Sequence, residues 1–560
     1  MINVCKSGTD SWLTGWQRFG WPEWAGLLLS IVAFAFFYCS VLKIDYLKTS
    51  LIDLPPDSDA SEYYAMARSM KCGGPPKIRI GHELLPSRYP PGYSVLMLPW
   101  LKILPEKQQI LAPFRTSQSM GLLLLCSVWI FYWRRGEPLG AGLTTLLLAT
   151  LPGFVNYCRA PMSEMSGITL ICLAFMAAFL GLNQQRRGWV YLCALFLGLA
   201  VNIRMQLVFF GPILLTMAWI GEQDKRLPWL LHCSGILLFF AFCASPIFII
   251  NTIQFGHPLR TGYDFWVPDI VALGAAFSGR NIWPGALSLL RELFQLSDTF
   301  TVANLFGTGT HFTPAYIALA LIGCLFLRSW KFIFCAGLPW VCYLAGTMMF
   351  YYNDGRMYLP FIVLLAPLAT LPALLADQAL SRKKYILPIM AALFLLAITG
   401  YPSQSGYPKK AWRSQWTDAL SLAPHDQPRK AVNFMAAHEL LALAENRPGI
   451  VLSTINPVFL NAILPVGFSA APLDSQHLFQ HSHIWKYGTK EAKELAQKGI
   501  ADKRPVYALF ASNQETSIEI QRLPKIPNYY WAPLSAANDR SFIFSLTTKR
   551  AESTIDPGKH

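Results

Sequence analysis

The chain has little charge. Asp, Glu, Lys and Arg make up 14% of its 560 residues, against 53% hydrophobic ones. A soluble globular domain carries about 25% charged residues, so a wholly water-soluble protein is excluded. Acids are the scarcer sign, 32 against 47 bases. No Gly-rich phosphate loop and no dinucleotide fingerprint occurs, so the sequence has no signature of a sugar-nucleotide site. There is no cysteine from Gly400 onward, and nearly all of the others fall inside apolar runs, so neither a disulfide framework nor a zinc-type spacing is present. The pair His481 and His483 has no further ligands at metal-binding distance in the sequence and reads as surface histidines. No metal or other cofactor is assigned, and a divalent ion is left open.

What the chain has instead is a series of long apolar runs. A membrane helix needs about 20 predominantly apolar residues. About eleven candidate spans follow by that measure, at 24–42, 116–133, 138–154, 165–182, 189–201, 207–220, 229–250, 313–327, 332–350, 357–375 and 385–399. The fifth and sixth are short and separated only by the segment around Arg204, so they also read as one helix with that arginine inside. Lys and Arg gather in short cytoplasmic loops, and this separates the two counts. With the N-terminus in the cytoplasm and the two spans kept apart, Arg134, Arg135, Arg186, Arg187, Lys225, Arg226, Arg328, Lys331, Arg382, Lys383 and Lys384 all fall on the cytoplasmic side. Merging the two spans would move the last three clusters outside. The excess of base is thus a matter of topology and anionic headgroups, and nucleic acid is not implied as a partner. The first span lacks a small-x-small cleavage site and reads as an uncleaved anchor.

This topology places 43–115, 155–164, 251–312 and the C-terminal tail outside the cytoplasm. Of the cysteines, Cys72 and Cys158 lie near that surface, and a bridge between them is left open. The first outer loop has Asp57, Asp59, Glu62, Tyr63, Tyr64 and Arg68 at spacings that put several on one face of a short helix. Prolines 75, 76, 86, 90 and 91 break the remainder into short pieces, as interfacial helices along a membrane require. The same loop also reads as a solvated acidic segment in which Asp59 merely caps a helix. The third loop contains Asp264, Asp269 and His311. It reads either as a cover for an acceptor cleft or as amphipathic packing on the membrane.

Residues in five places resemble the C-type (GT-C) glycosyltransferases that use polyprenyl-phosphate sugars, such as the aminoarabinose transferases acting on lipid A and the protein O-mannosyltransferases. They are Asp59-x-x-x-Tyr63-x-x-x-x-Arg68-x-Met70 with Arg88-Tyr-Pro-Pro-Gly-Tyr93, then NYCRAPMSEMSG around Glu164 and LAVNIRMQ around Arg204. NTIQFGHPLRTGY from Asn251 to Tyr263 and YYNDGRMYLP around Arg356 complete the set. The resemblance covers roughly the first 400 residues. It implies that Asp59 and Glu164 are the catalytic acids and that Arg88 meets the lipid phosphate. Tyr63, Tyr93, Arg204 and Arg356 are then further substrate-binding residues. Two departures stand out. Asp57 competes with Asp59, and Ala60 stands where several relatives have Glu, whose role is then absent or moved to Glu62.

Chemistry asks for the same residue types. A lipid-phosphate sugar already has a good leaving group, so the enzyme must deprotonate a weak nucleophile, align it and neutralise the departing phosphate. A carboxylate suits the first task. Arginine, always charged and bidentate, suits the last. The tail from Tyr401 has an ordinary soluble composition. A helical period over 431–445 and strands at 449–453, 506–510 and 541–546 predict a small α/β domain, with a scaffolding or acceptor-recognition role.

The expected architecture is therefore an α-helical polytopic membrane protein. A GT-C catalytic domain spans 1–400, with its catalytic loop at 43–115, and an extracytoplasmic α/β domain spans 401–560. The expected partners are a polyprenyl-phosphate sugar donor, an extracytoplasmic acceptor and membrane lipids, with the resemblance implying inversion and a bacterial inner membrane. A transporter or lipid flippase and a lipid-linked glycan polymerase or ligase are the competing readings. The acids lie in outer loops and no repeat is found, unlike the pattern of transporters.

Overall fold

The computed structural model describes residues 21–48, 50–54, 59–216, 226–266, 277–294, 314–325, 330–350, 355–380, 431–445, 447–473, 489–511, 520–521, 523–534 and 541–548. Asp57, Asp269, His311, His481, His483 and the apolar run 385–399 lie outside these residues.

Helix α1, Trp21–Phe37, continues through a π-helical turn, Tyr38–Leu42. A short outer stretch ends in the 3-10 turn Ser50–Asp53, followed by α2 (Asp59–Lys71), the antiparallel hairpin β1 (Lys77–Ile80) and β2 (Glu83–Pro86), and α3 (Gly92–Ile103). Then come α4 (Ala112–Arg134), α5 (Pro138–Thr150), α6 (Pro152–Arg159), α7 (Glu164–Gln184) and α8 (Arg187–Ile203). The 3-10 segment Met205–Thr216 packs back on α8, and α9 (Arg226–Phe255) follows. The later elements of this part are α10 (Gly262–Trp266), α11 (Ile282–Phe294), α12 (Pro314–Leu325), α13 (Trp330–Met349), α14 (Leu359–Leu364) and α15 (Ala366–Leu380).

Among the described residues three helices are long and apolar enough to cross a membrane: Glu23–Leu42, Glu164–Gln184 and Trp229–Phe255. The expected span 138–154 is not one straight helix. It bends by 65° between α5 and α6, because Leu151 precedes Pro152 and is held in extended backbone at ψ 117°, a residue before proline being disfavoured in the α region. The expected spans five and six are separate elements, with Arg204 in extended backbone at the end of α8. Helix α9 contains a proline, Pro246, and side chains take up the backbone groups it disturbs. Ser245 Oγ donates to the Phe242 carbonyl, which Pro246 cannot serve. Asn202 of α8 donates to the Cys243 carbonyl and accepts from the Ile247 N–H. These are the repairs a broken helix needs in lipid. Leu231, Leu238, Phe242, Ile249 and Ile253 form an exposed apolar stripe on the same helix.

Close approach of backbones ties α1 to α5. A Cβ on Gly26 would lie 2.1 Å from the Pro138 carbonyl oxygen, and one on Gly142 2.5 Å from that of Gly26. Small residues at such a crossing let membrane helices pack by dispersion alone.

The C-terminal region has α16 (Val432–Leu443), β3 (Ile450–Ser453), α17 (Pro457–Ile463), β4 (Ser469–Pro472), α18 (Thr489–Ala501), β5 (Val506–Ala511), β6 (Tyr529–Pro533) and β7 (Ser541–Thr548). The sheet runs β4-β3-β5-β7-β6. Strand β3 is parallel to both neighbours, while β7 is antiparallel to both of its own. Strands β3 and β4 are buried along their whole length, as strands covered on two faces are. The sequence period locates α16, β3, β5 and β7. Strand β4 escapes it, since SAAP has no β-branched residue and ends in proline.

Helix α2 is not a solvated segment. Asp59, Ala60, Ser61, Glu62, Tyr63 and Tyr64 are all buried, between α3 on one side and α17 of the C-terminal region on another. The loop that follows α1 and the C-terminal region therefore pack against each other. Cys72 and Cys158 are not bridged: Cys72 is exposed, and Cys158 is buried with its sulfur against Gly121.

Candidate active site

Asp59 is the first residue of α2 and Glu164 the first residue of α7. At that position a carboxylate faces the positive end of the helix dipole and its unpaired N–H groups. Two arginines from far along the chain meet these acids. Arg204 follows α8 and donates to Glu164 at 2.5 Å and to Ser163 Oγ at 3.4 Å. Its other nitrogens, Nε and Nη2, reach the Gln206 amide oxygen at 3.1 and 3.0 Å once that amide is turned to accept. Arg356 sits in the 3-10 turn Gly355–Tyr358. Its Nη1 lies 3.4 Å from Asp59 and 3.6 Å from Glu164, bridging the two acids. The turn is pinned by Tyr343, which donates to the Met357 carbonyl, and by Tyr358, which donates to that of Gly285.

A third ion pair borders this pair of pairs. Glu62 accepts from Arg88 Nε at 2.6 Å, the Arg88 N–H at 2.9 Å and Ser87 Oγ at 2.7 Å. Burial opposes the charge on Arg88, but the Glu62 carboxylate outweighs it and holds the guanidinium above its ordinary pKa. Helix α10 roofs this segment. Trp266 Nε1 donates to the Pro86 carbonyl at 2.8 Å, and Gly262 lies directly on the Ser87–Arg88 backbone. Asp264 accepts from the Thr261 N–H and hydroxyl, so its carboxylate braces its own turn.

Tyr63 joins the groups. Its hydroxyl donates to Ser163 Oγ at 3.0 Å, its carbonyl accepts from Ser94, and its ring packs against Tyr89 and Tyr93. Burial pushes the phenols of Tyr63 and Tyr89 well up, so both are neutral donors at physiological pH. Tyr93 is fully buried and spends its hydroxyl on the Pro113 carbonyl and Ser117. It supports Tyr63 from behind.

All seven candidate residues read from the sequence thus fall in one contiguous region, built from α2, the 87–93 segment, α7, the end of α8 and the 355–358 turn. Glu62, Ser87, Ser163, Gln206 and Gly262 complete it. The signal for Ser163 and Gln206 was their place beside Glu164 and Arg204, but nothing local says that they touch. Among the described residues three carboxylates face three arginines. Glu164 Oε2 is buried with no hydrogen-bond partner among the described residues. Among the described residues no three His, Cys, Asp or Glu side chains converge as a metal site requires. An apolar cavity of about 450 Å³ lies between α8, the 205–216 segment and α9, lined by Val201, Val208, Phe240, Phe248, Ile253 and Pro258. It contains none of the charged groups.

Comparison with known proteins adds to the geometry. The family described as dolichyl-phosphate-mannose-protein mannosyltransferase matches residues 97–249. ArnT from Cupriavidus metallidurans bound to undecaprenyl phosphate superposes with a TM-score of 0.56 at 13% identity, over 94% of this chain and 98% of its own. Its apo form gives 0.52 at 14% identity, over 96% and 98%. No curated protein sequence matches the chain. Family match and superposition agree with the motifs: the chain has the fold of the C-type glycosyltransferases, the family that its outer-loop residues resemble.

Proposed function

We propose that this protein is an integral-membrane glycosyltransferase that moves a sugar from a polyprenyl-phosphate donor to a hydroxyl acceptor outside the cytoplasm, with inversion. The observation that carries the reading is the convergence of Asp59, Glu164, Arg204 and Arg356 at two helix N-termini. The acceptor oxygen attacks the anomeric carbon as its proton passes to Asp59. The bond from that carbon to the phosphate oxygen breaks, and the lipid phosphate leaves with its added negative charge. Arg88 and Arg356 neutralise it, while Tyr63 and Arg204 shape the floor.

Asp59 rather than Glu164 is assigned as base because, among the described residues, its carboxylate has one long contact, to Arg356, whereas Glu164 is engaged by Arg204 at 2.5 Å. The donor's phosphate suits an arginine-rich rim, and the apolar cavity beside α8 has the chemistry to take part of an isoprenoid chain. ArnT, which shares the fold, has been crystallised with undecaprenyl phosphate, and the same donor class is assigned here.

The test is transfer by the full chain in lipid nanodiscs from a polyprenyl-phosphate-linked sugar. A positioned base contributes about 100- to 10,000-fold. Asp59→Asn is expected to lose turnover by that order and to keep donor binding. Full turnover in Asp59→Asn would overturn the assignment, and donor binding lost together with turnover would move Asp59 from base to binding residue.

A further inference from the structure

Helix α2, which bears Asp59, Glu62 and Tyr63, is held from outside the membrane region at two points. The first is Asp53, at the end of the 3-10 turn that precedes α2. Its carboxylate accepts from the N–H groups of Phe434 at 2.8 Å and Asn433 at 3.2 Å, so it caps the N-terminus of α16 from 380 residues away in sequence. Such N–H groups have no partner inside their own helix. Leu54, the next residue, accepts from Ser61 Oγ in the first turn of α2, so the tie reaches the helix within two contacts.

The second point is the turn between β1 and β2. Strand β4 is the edge of the C-terminal sheet, and an open edge presents unpaired N–H and carbonyl groups. Here the hairpin covers it. Gly81 N–H donates to the Ala470 carbonyl at 2.8 Å, and Ser469 Oγ donates to the Gly81 carbonyl. Asn461 of α17 accepts from the Ala470 N–H at 2.8 Å and donates to the carbonyls of Ala470 at 2.8 Å and of Arg79 at 3.0 Å. Gly81 has φ +56°, a left-handed turn that lets its backbone meet the strand. Between the two ties α2 packs on α17, and α3 holds Tyr63 through Ser94.

We propose that the C-terminal α/β domain is a positioning element of the reaction centre. Asp53 and Asn461 are its two fasteners, and they fix the placement of α2 against α3 and α7. Without them Glu164 still holds Arg204 and Arg356, but Asp59, Glu62 and Tyr63 lose their outer support. The catalytic consequence rests on the transferase reading above. The structural claim does not.

Amide hydrogen exchange of the full chain in nanodiscs tests this without donor or acceptor. Asp53→Ala and Asn461→Ala are each expected to speed exchange in 59–71, and the double variant by roughly tenfold or more, while α7 and α9 exchange as before. Asp53→Asn, which keeps one acceptor oxygen, is expected to restore most of the protection. Unchanged exchange in α2 of the double variant overturns the proposal. So does a rise spread over α7 and α9, which would mark a general loss of stability. In a transfer assay the double variant is expected to lose turnover at least tenfold with little change in donor KM. A rise in KM alone would refer the fasteners to binding and overturn the positioning of Asp59.

Discussion

Helices α2 and α7 each begin with a carboxylate, and each carboxylate meets an arginine, yet the two places are built differently. Glu164 is clamped: Arg204 holds it at 2.5 Å and is itself held by Ser163 and Gln206. Among the described residues Asp59 has one ion-pair contact, at 3.4 Å, to an arginine shared with Glu164. The same helix-start position is thus tightly paired in one case and, in the proposed reaction, serves as the base in the other. The difference shown is one of distance: Arg204 sits directly on Glu164, whereas Arg356 stands between two acids at longer range.

Removing the anchor should have the larger structural effect. Glu164→Ala leaves Arg204 buried without its carboxylate, and breaking a buried pair in this way costs about 3–5 kcal/mol. The loss is expected as a large fall in the thermal midpoint of the purified protein, whereas Asp59→Ala should cost about 1 kcal/mol, as a weaker contact does. Equal losses in the two variants would erase the contrast.

Glu62→Gln tests the third pair. It keeps the shape and one acceptor for Ser87, but gives up the charge-assisted bonds to Arg88, which are worth about 1.5–3 kcal/mol. Melting in nanodiscs should show an effect between those of the other two acids. A midpoint equal to that of the unaltered protein would show that Arg88 does not depend on Glu62.

Gly262→Ala comes next. The new Cβ would lie 2.0 Å from the Ser87 carbonyl oxygen and 2.5 Å from the Arg88 Cα, so backbone must move, at about 1–3 kcal/mol. Donor affinity should fall with it, because the displaced segment carries Arg88, while turnover at saturation changes little. A titration of donor binding decides the point.

The smallest effect concerns pH. His82 and His438 flank the contact between the outer loop and the C-terminal domain. Both are held below the ordinary histidine pKa, first by burial and then by Lys498 and Arg504 for His82 and by Lys107 for His438. A depressed value means that the unfolded chain takes up the proton first. Stability is therefore complete above about pH 6.5 and declines as pH falls below it. Melting between pH 7.5 and 5.5 should show a modest fall, reduced in the His82→Gln, His438→Gln double variant.

Much of the site was legible in the sequence because its parts are local. The acid at a helix start, the arginine after an apolar run and the RYPPGY segment each show in a dozen residues, and the membrane class follows from composition alone. Membrane burial makes apolar runs obligatory, so they survive in any reading of the chain. What stayed hidden depends on pairing between distant segments. No pattern in the first loop says which arginine each acid meets, yet Asp59 meets Arg356 and Glu62 meets Arg88. Likewise SAAP became a strand through its parallel neighbour β3 and the hairpin on its free edge.

By itself, then, the sequence determined the membrane class, the apolar helices, the helix-starting acids and the α/β character of the tail, since period, capping and solvation act over a few residues. Only the tertiary structure decided which arginine faces which acid, that α2 is buried rather than solvated, and that the C-terminal domain holds it through Asp53 and Asn461. Those outcomes turn on contacts between residues up to 388 positions apart, where the partner is chosen by the packing of whole helices and no local preference records it.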